Sequence, residues 1–249
     1  MLFLATSDLH GNLPVINDEF DLLMITGDIC PDLLNIPSKQ VEWIEDKLIP
    51  WINNLKFKNV WSKIVIVPGN HDLCFEHLSL LSNIREWKYK TANHLVILNH
   101  DLYEYDYLTK DLEIKNLKIF GTPFCKRFGN WAFMVSDDEL RRKYSQIPKD
   151  IDILLSHDSP TIDQLGGILD EDSRWYNPNS GNDILSEVIK DIKPKIFHSG
   201  HIHSGNHKFH EKDGTWMANV SYVNENIEPK YKILKYEFYD DKVHYNNEY

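Results

Sequence analysis

Ile64-Val65-Ile66-Val67-Pro68-Gly69-Asn70-His71-Asp72 sets a β-branched run directly against a loop of glycine, amide, imidazole and carboxylate. A short, continuous apolar run of this kind suits a strand buried on both faces of a parallel sheet. Four other apolar runs end the same way. Leu2-Phe3-Leu4-Ala5 leads to Asp8-Leu9-His10, and Leu22-Leu23-Met24-Ile25 leads to Gly27-Asp28. Ile153-Leu154-Leu155 leads to Ser156-His157-Asp158, and Ile196-Phe197 leads to Gly200-His201-Ile202-His203. Loops at the carboxyl ends of neighbouring parallel strands converge on one crevice. Five distant peptides thereby deliver Asp, Asn and His side chains to one point, the pattern expected of a hydrolase with two metal ions.

The bulk composition agrees. At 249 residues, 42% hydrophobic and 26% charged, the chain has ordinary globular composition. It reads as a single domain over residues 1–249, long enough to bury roughly 70–75% of its unfolded surface. No apolar run approaches the ~18 residues of a membrane span. The start, Met1 to Asp8, lacks a basic segment and meets a carboxylate too early for a signal peptide. Cys30, Cys74 and Cys125 are odd in number and show no CxxC spacing, so reduced thiols in the cytoplasm are expected. The net charge of −11 would repel a long polyanion such as duplex DNA. Two divalent ions would concentrate positive charge in one cleft and admit a small phosphate ester.

Helical spacing at Trp43, Ile44, Leu48, Trp51, Ile52 and Leu55 predicts a helix that Pro50 kinks or splits. Leu73 to Arg85 is a weaker helix candidate. Leu95–Leu98, Leu112–Ile114 and Leu117–Phe120 read as short strands, with Lys115-Asn116 as a turn. Helices are expected over 137–146, with Ser136 as N-cap, and over 182–191, ended by Pro194. The tail alternates from Tyr231 to Phe238 and again from Val243 to Tyr245, a C-terminal hairpin. Ser159 to Ser180 holds no clear element, and so long a connection is usually functional or mobile. The fold expected is α/β, with two mixed β-sheets packed as a sandwich and helices on the outer faces.

Carboxylate, amide and imidazole suit hard-to-borderline cations, and the five loops supply all three without a thiolate. In order, their blocks are DxH, GD, GNHD, a lone His and GHxH. The ordered set resembles the calcineurin-like metallophosphoesterase superfamily and covers Asp8 to His203. By that resemblance Asp8, His10 and His203 hold one metal, Asn70, His157 and His201 the other, and Asp28 bridges them. Manganese is the expected ion, with iron and zinc as alternatives. A hydroxide shared by two such ions would attack phosphorus in line. By the same resemblance His71 stabilises the transition state or protonates the leaving oxygen. Asp72 would accept a hydrogen bond from His71 and orient it. His77, His94, His100, His198, His207, His210 and His244 are read as structural.

Gly27-Asp28-Ile-Cys-Pro31-Asp lacks the Arg that protein phosphatases carry after this block. A closer likeness is to the metallophosphoesterase domain-containing (MPPED) subfamily. Gly121-Thr-Pro-Phe124, Phe128-Gly-Asn-Trp131-Ala-Phe133, Ser156-His157-Asp158-Ser159-Pro160, Gly200 to Gly205 and Asn219-Val-Ser-Tyr222 are similar to its blocks. That likeness implies a phosphodiesterase of small nucleotides or cyclic nucleotides. A phosphomonoesterase on the same site and a non-catalytic binding module are the alternatives. Asp158 stands where the subfamily has glycine, an added carboxylate that either repels a phosphate beside the second metal or, as expected, faces solvent. Lys126, Arg127, Arg174, Trp175 and Tyr176 are candidate substrate contacts, because cationic and aromatic groups suit a nucleotide.

Overall fold

The computed structural model describes residues 1–76, 81–109 and 113–245. Strands β1 (Leu2–Thr6), β2 (Leu22–Ile25), β3 (Lys63–Ile66) and β4 (Leu95–Ile97) lie side by side and parallel. The hairpin of β13 (Leu234–Tyr239) and β14 (Lys242–His244) continues that sheet antiparallel beyond β1. The second sheet mirrors the first. Its parallel centre is β6 (Ile114–Thr122), β9 (Ile153–Ser156), β10 (Ile196–Ser199) and β12 (Thr215–Asn219). Antiparallel β5 (Asp101–Leu108) and β11 (His210–Lys212) close its edges. A two-stranded parallel ribbon joins β7 (Cys125–Lys126) to β8 (Met134–Val135).

The alternation of side chains along each strand builds the layers. Phe3, Ala5, Met24, Val65 and Val96 of the first sheet meet Tyr105, Ile119, Ile153, Leu155 and Ile196 of the second in one buried cluster. The intervening residues Leu4, Leu23, Ile25, Ile64 and Ile66 face outward onto the helical stretch and onto Trp87. That stretch runs through α1 (Pro37–Trp43), a π-helical turn (Ile44–Leu48) and α2 (Ile49–Asn53); Trp87 sits on α3 (Leu81–Lys90). On the far side Phe120, Leu154 and Phe197 pack beneath α4 (Asp137–Tyr144) and α5 (Asp183–Ile192). Two mixed sheets sandwiched between helices are therefore the observed architecture, as the sequence leads one to expect.

Pro50 behaves as expected: a π-helical turn at Ile44–Leu48 separates α1 from α2, and the proline sits in the first turn of α2 while the chain stays right-handed throughout. Several local expectations change. Lys115-Asn116 is not a turn. Those residues pair with Tyr107 and Asp106 inside a long hairpin, their polarity reflecting an exposed edge. The weak helix over 73–85 resolves into a 3₁₀ turn at Leu73–Glu76 and α3, with 77–80, including His77, outside the described residues; Leu112 lies outside them too. Ser136 and Asn182 cap α4 and α5 by accepting from Glu139 N and Leu185 N. Residues 159–180 hold a 3₁₀ turn at Ile162–Gln164 and an Ile168–Asn177 bridge. Among the described residues no helix is long and apolar enough to cross a membrane.

Between the sheets His198 is fully buried, its Nε2 2.9 Å from Tyr236 Oη and its Nδ1 without a partner among the described residues. Burial pushes its pKa from 6.5 down to about 3. Below pH 6.5 the unfolded chain therefore takes up a proton that the folded chain refuses. Stability should fall on acidification by about 1.4 kcal/mol per pH unit from this residue alone. In urea titrations at pH 7 and pH 5, His198→Leu should lose less stability than the wild type. An equal loss would show that this imidazole does not drive acid unfolding.

Candidate metal centre

Each strand ends in a loop that turns its polar side chain into the same crevice. Asp8 and His10 donate their backbone N–H groups to Gly27 O and Asp28 O, locking the first two loops together. Asp8, His10, Asp28 and His201 all have left-handed backbones, with φ of 51°, 43°, 49° and 68°. Such conformations cost about 1–3 kcal/mol each outside glycine and cluster at functional sites. Two glycines make room. A Cβ on Gly27 would lie 2.2 Å from His157 Nδ1, and one on Gly69 would lie 2.2 Å from Asp28 Oδ1.

The two central carboxylates are deeply buried. Asp8 accepts from His201 N at 3.0 Å and from Ser221 Oγ at 2.7 Å, while Oδ1 faces His203 Nε2 at 3.5 Å. Asp28 Oδ1 accepts from His71 N at 2.7 Å. Its Oδ2 lies 3.3 Å from His157 Nε2 and 3.9 Å from His10 Nε2. Burial acts to raise both pKa values, but the neighbouring histidines outweigh it and hold both below the usual carboxylate range. Asn70 Oδ1 stands 2.9 Å from His157 Nε2, and the His201 ring is 5.1 Å from that of His157. All seven residues the sequence picks out as ligands are thus brought together.

The hydrogen bonds fix what the imidazoles present. His157 Nδ1 faces Thr26 O at 2.8 Å and His203 Nδ1 faces Asn224 O at 3.0 Å. A carbonyl only accepts, so both Nδ1 atoms carry hydrogen and in both rings Nε2 is the atom that turns inward, free to hold a proton or a metal ion. His10 Nδ1 is likewise held by Asp32, and its Nε2 faces His203 Nε2 at 3.2 Å. The inward Nε2 atoms therefore face one another and carboxylate and amide oxygens. Such a cluster calls for positive charge, supplied by protons on the imidazoles or by a metal ion in their place. Burial alone would lower the pKa of His157 and His203; Asp28 and Asp8 instead hold them at about 10 and about 9. The mixed oxygen and imidazole donor set fits divalent Mn, Fe or Zn. Asp8, His10 and His203 form one group able to hold an ion, and Asp8, Asp28 and His157 form another.

Three roles differ from expectation. Asp72 does not receive His71. It is buried and accepts from Gly69 N, Ile29 N and Cys30 N, at 2.8, 3.0 and 2.9 Å, so it staples the β2 loop to the β3 loop. The carboxylate beside His71 is Asp32, whose Oδ1 lies 3.1 Å from His71 Nδ1 while it also grips His10 Nδ1. The one available signal was its place four residues after Asp28 in the same loop. Asp158 does not face solvent. It is 4% exposed and accepts from Lys126 N, Ser159 N and Asn182 Nδ2, anchoring the start of α5.

Further supports were not legible in the sequence. Gln40 of α1 donates to His71 O and accepts from Cys74 N, and the Trp131 ring stacks on His71 at 4.4 Å. Asn219 donates to Leu165 O and Ile202 O, setting the His201–His203 loop. Cys125 Sγ lies beside His157 and His201, but its S–H donates to Pro123 O, and burial with the nearby carboxylates keeps it protonated. Of the substrate candidates, Arg127 donates to Met134 O, Arg174 covers Trp175, and Lys126 Nζ lies 3.9 Å from Asp137. None of these three cations joins the imidazole–carboxylate cluster.

The chain is 26% identical to human metallophosphoesterase domain-containing protein 1 over 240 residues, covering 90% of this chain and 65% of that protein. A Caenorhabditis elegans UPF0046 protein is 30% identical over 220 residues, with 81% and 68% covered. Phosphopantetheinyl hydrolase from Mycobacterium tuberculosis superimposes over 90% of both chains with a TM-score of 0.52 at 15% identity. A dimetal phosphatase from Danio rerio does so over 96% of this chain and 93% of its own, with a TM-score of 0.50 at 11% identity. At such identities the structural likeness is one of fold. The calcineurin-like phosphoesterase family model matches residues 1–214, spanning all five strand-end loops, and the chain belongs to that family.

Proposed function

We propose that this chain is a dinuclear metal-dependent phosphodiesterase of small nucleotide or cyclic-nucleotide diesters. The observation that carries this reading is the convergence of three imidazole Nε2 atoms on two buried carboxylates, with His71 at the edge of the same cluster. Asp8, His10 and His203 would hold one ion, Asn70, His157 and His201 the other, and Asp28 would serve both. Two divalent ions supply Lewis-acid charge to the phosphoryl oxygens and ease deprotonation of water.

The residues around them have separable tasks. Asp28 neutralises charge and, through Oδ1, fixes the backbone of His71. Burial lowers the His71 pKa, but Asp32 and Asp28 more than offset this and raise it above 6.5. With Nδ1 held by Asp32, the transferable proton sits on Nε2 and passes to the leaving oxygen. Asp32 orients His10 and His71 together. Diesters are favoured because the cluster's hydrogen bonds and ion pairs, among the described residues, include no guanidinium to match a monoester's second negative charge.

Metal-stripped protein reloaded with Mn, Fe or Zn singly, then assayed on bis- and mono-p-nitrophenyl phosphate, cyclic nucleotides and phosphopeptides, tests the reading. Diesters, including 2′,3′- or 3′,5′-cyclic nucleotides, should be hydrolysed faster than the monoester. Efficient phosphopeptide turnover beside inert cyclic nucleotides would overturn it.

A further inference from the structure

The loop between β7 and β8 is tied at its feet to the metal centre. Lys126 N donates to Asp158 Oδ2, Ala132 N donates to Asn70 O, and Phe133 N donates to Glu76 Oε1. Arg127 N to Val135 O and Cys125 N to Phe133 O complete the ribbon beneath it. At its crest stand two aromatic residues three positions apart. Trp131 is 38% exposed and lies over His71, while Phe128 is 69% exposed with its ring 5.4 Å from His201.

His71 follows β3 of one sheet and His201 follows β10 of the other, so the one loop reaches a site imidazole from each sheet. Each aromatic ring packs one side against its imidazole and leaves the rest to water. Burying Phe128 in the core would gain hydrophobic free energy that this position forgoes. What sets it apart from the other exposed apolar side chains is its place, beside a site imidazole and three residues from a second aromatic ring on another.

We propose that Phe128 and Trp131 form a stacking subsite for the nucleobase of a nucleoside phosphate whose phosphoryl group lies at the metal cluster. This rests on the phosphodiesterase reading only for the position of the phosphate. Aromatic faces stack on any base, so the subsite selects nucleoside over alkyl phosphates without distinguishing among bases.

The test compares binding of adenosine 5′-monophosphate and ribose 5-phosphate to the metal-loaded chain by calorimetry. The wild type should prefer the nucleotide by about 5- to 100-fold. Phe128→Ala/Trp131→Ala should bring the ratio to near unity, and Trp131→Phe should retain most of it. A ratio rather than one affinity is read because Trp131 also touches His71, and a change at the phosphate end cancels. Equal binding of both ligands by the wild type, or an unchanged ratio in the double variant, would overturn the subsite. An intact ratio in a protein that hydrolyses no phosphate ester would instead remove the phosphodiesterase reading and leave the subsite standing.

Discussion

Asp28→Ala is expected to release both metal ions and to lower turnover by at least about 10³-fold, the scale of several kcal/mol of lost charge stabilisation. Asp28 is 2% exposed, and its two oxygens serve different partners: Oδ1 takes the His71 amide while Oδ2 lies between His157 and His10. Asp28→Asn separates these tasks, because the amide oxygen can still accept from His71 N while the charge is gone. It should fold and still fail to retain two ions. Elemental analysis after reconstitution reads the outcome directly. One ion or fewer in the wild type under every metal tried would sink the dinuclear reading, and two ions in Asp28→Ala would refute the shared role.

His71→Ala should keep its metal and lose rate by about 10²–10⁴-fold, the usual range for a positioned acid. The loss should shrink on p-nitrophenyl esters, whose leaving group needs no proton. Metal lost in parallel with activity would make His71 a support instead. As an acid His71 works only while protonated, so activity should fall as pH rises through its raised pKa. Asp32→Asn removes a cause of that elevation, and the alkaline limb should move to lower pH. Because Asp32 also grips His10, the same variant should weaken metal binding by about 10–100-fold, as lost outer partners of metal-ligating histidines typically do. An alkaline limb unmoved by Asp32→Asn would separate Asp32 from the proton-transfer step.

The apolar runs ending in Asp8, Asp28, Asn70, His157 and His201 made the convergence legible, since parallel strands bring such ends together whatever lies between them. The layers were legible for the same reason, from period-two burial in runs such as Leu2–Thr6. What failed was pairing across loops. Asp72 and Asp32 are carboxylates of similar aspect in the sequence, and only the fold decides which one meets the His71 ring. Asp158 looked free to face water because nothing local shows that Lys126 and Asn182 come to it. Strand β5 was overlooked because its charged residues hide the inward Tyr105 and Tyr107, a pattern natural to an edge strand.

One feature of the topology bears on how the molecule is made. Strand β1 lies between β2 and β13, and Met1 N donates to Phe238 O. Asp8 is held by residues 193 and 213 positions further along the chain, His201 and Ser221. During synthesis at about 5–20 residues per second, Asp8 leaves the ribosome on the order of tens of seconds before either partner exists. Until β13 follows, one edge of β1 is bare, its backbone groups open to the wrong strand. The carboxylates of the amino-terminal half can meet an ion early, yet they lack the imidazoles of the carboxyl-terminal half to close around it. Metal capture would thus wait until the chain has been made as far as His203. An ion would be held firmly only by molecules in which the β1 loop and the β10 loop, one from each sheet, have found each other.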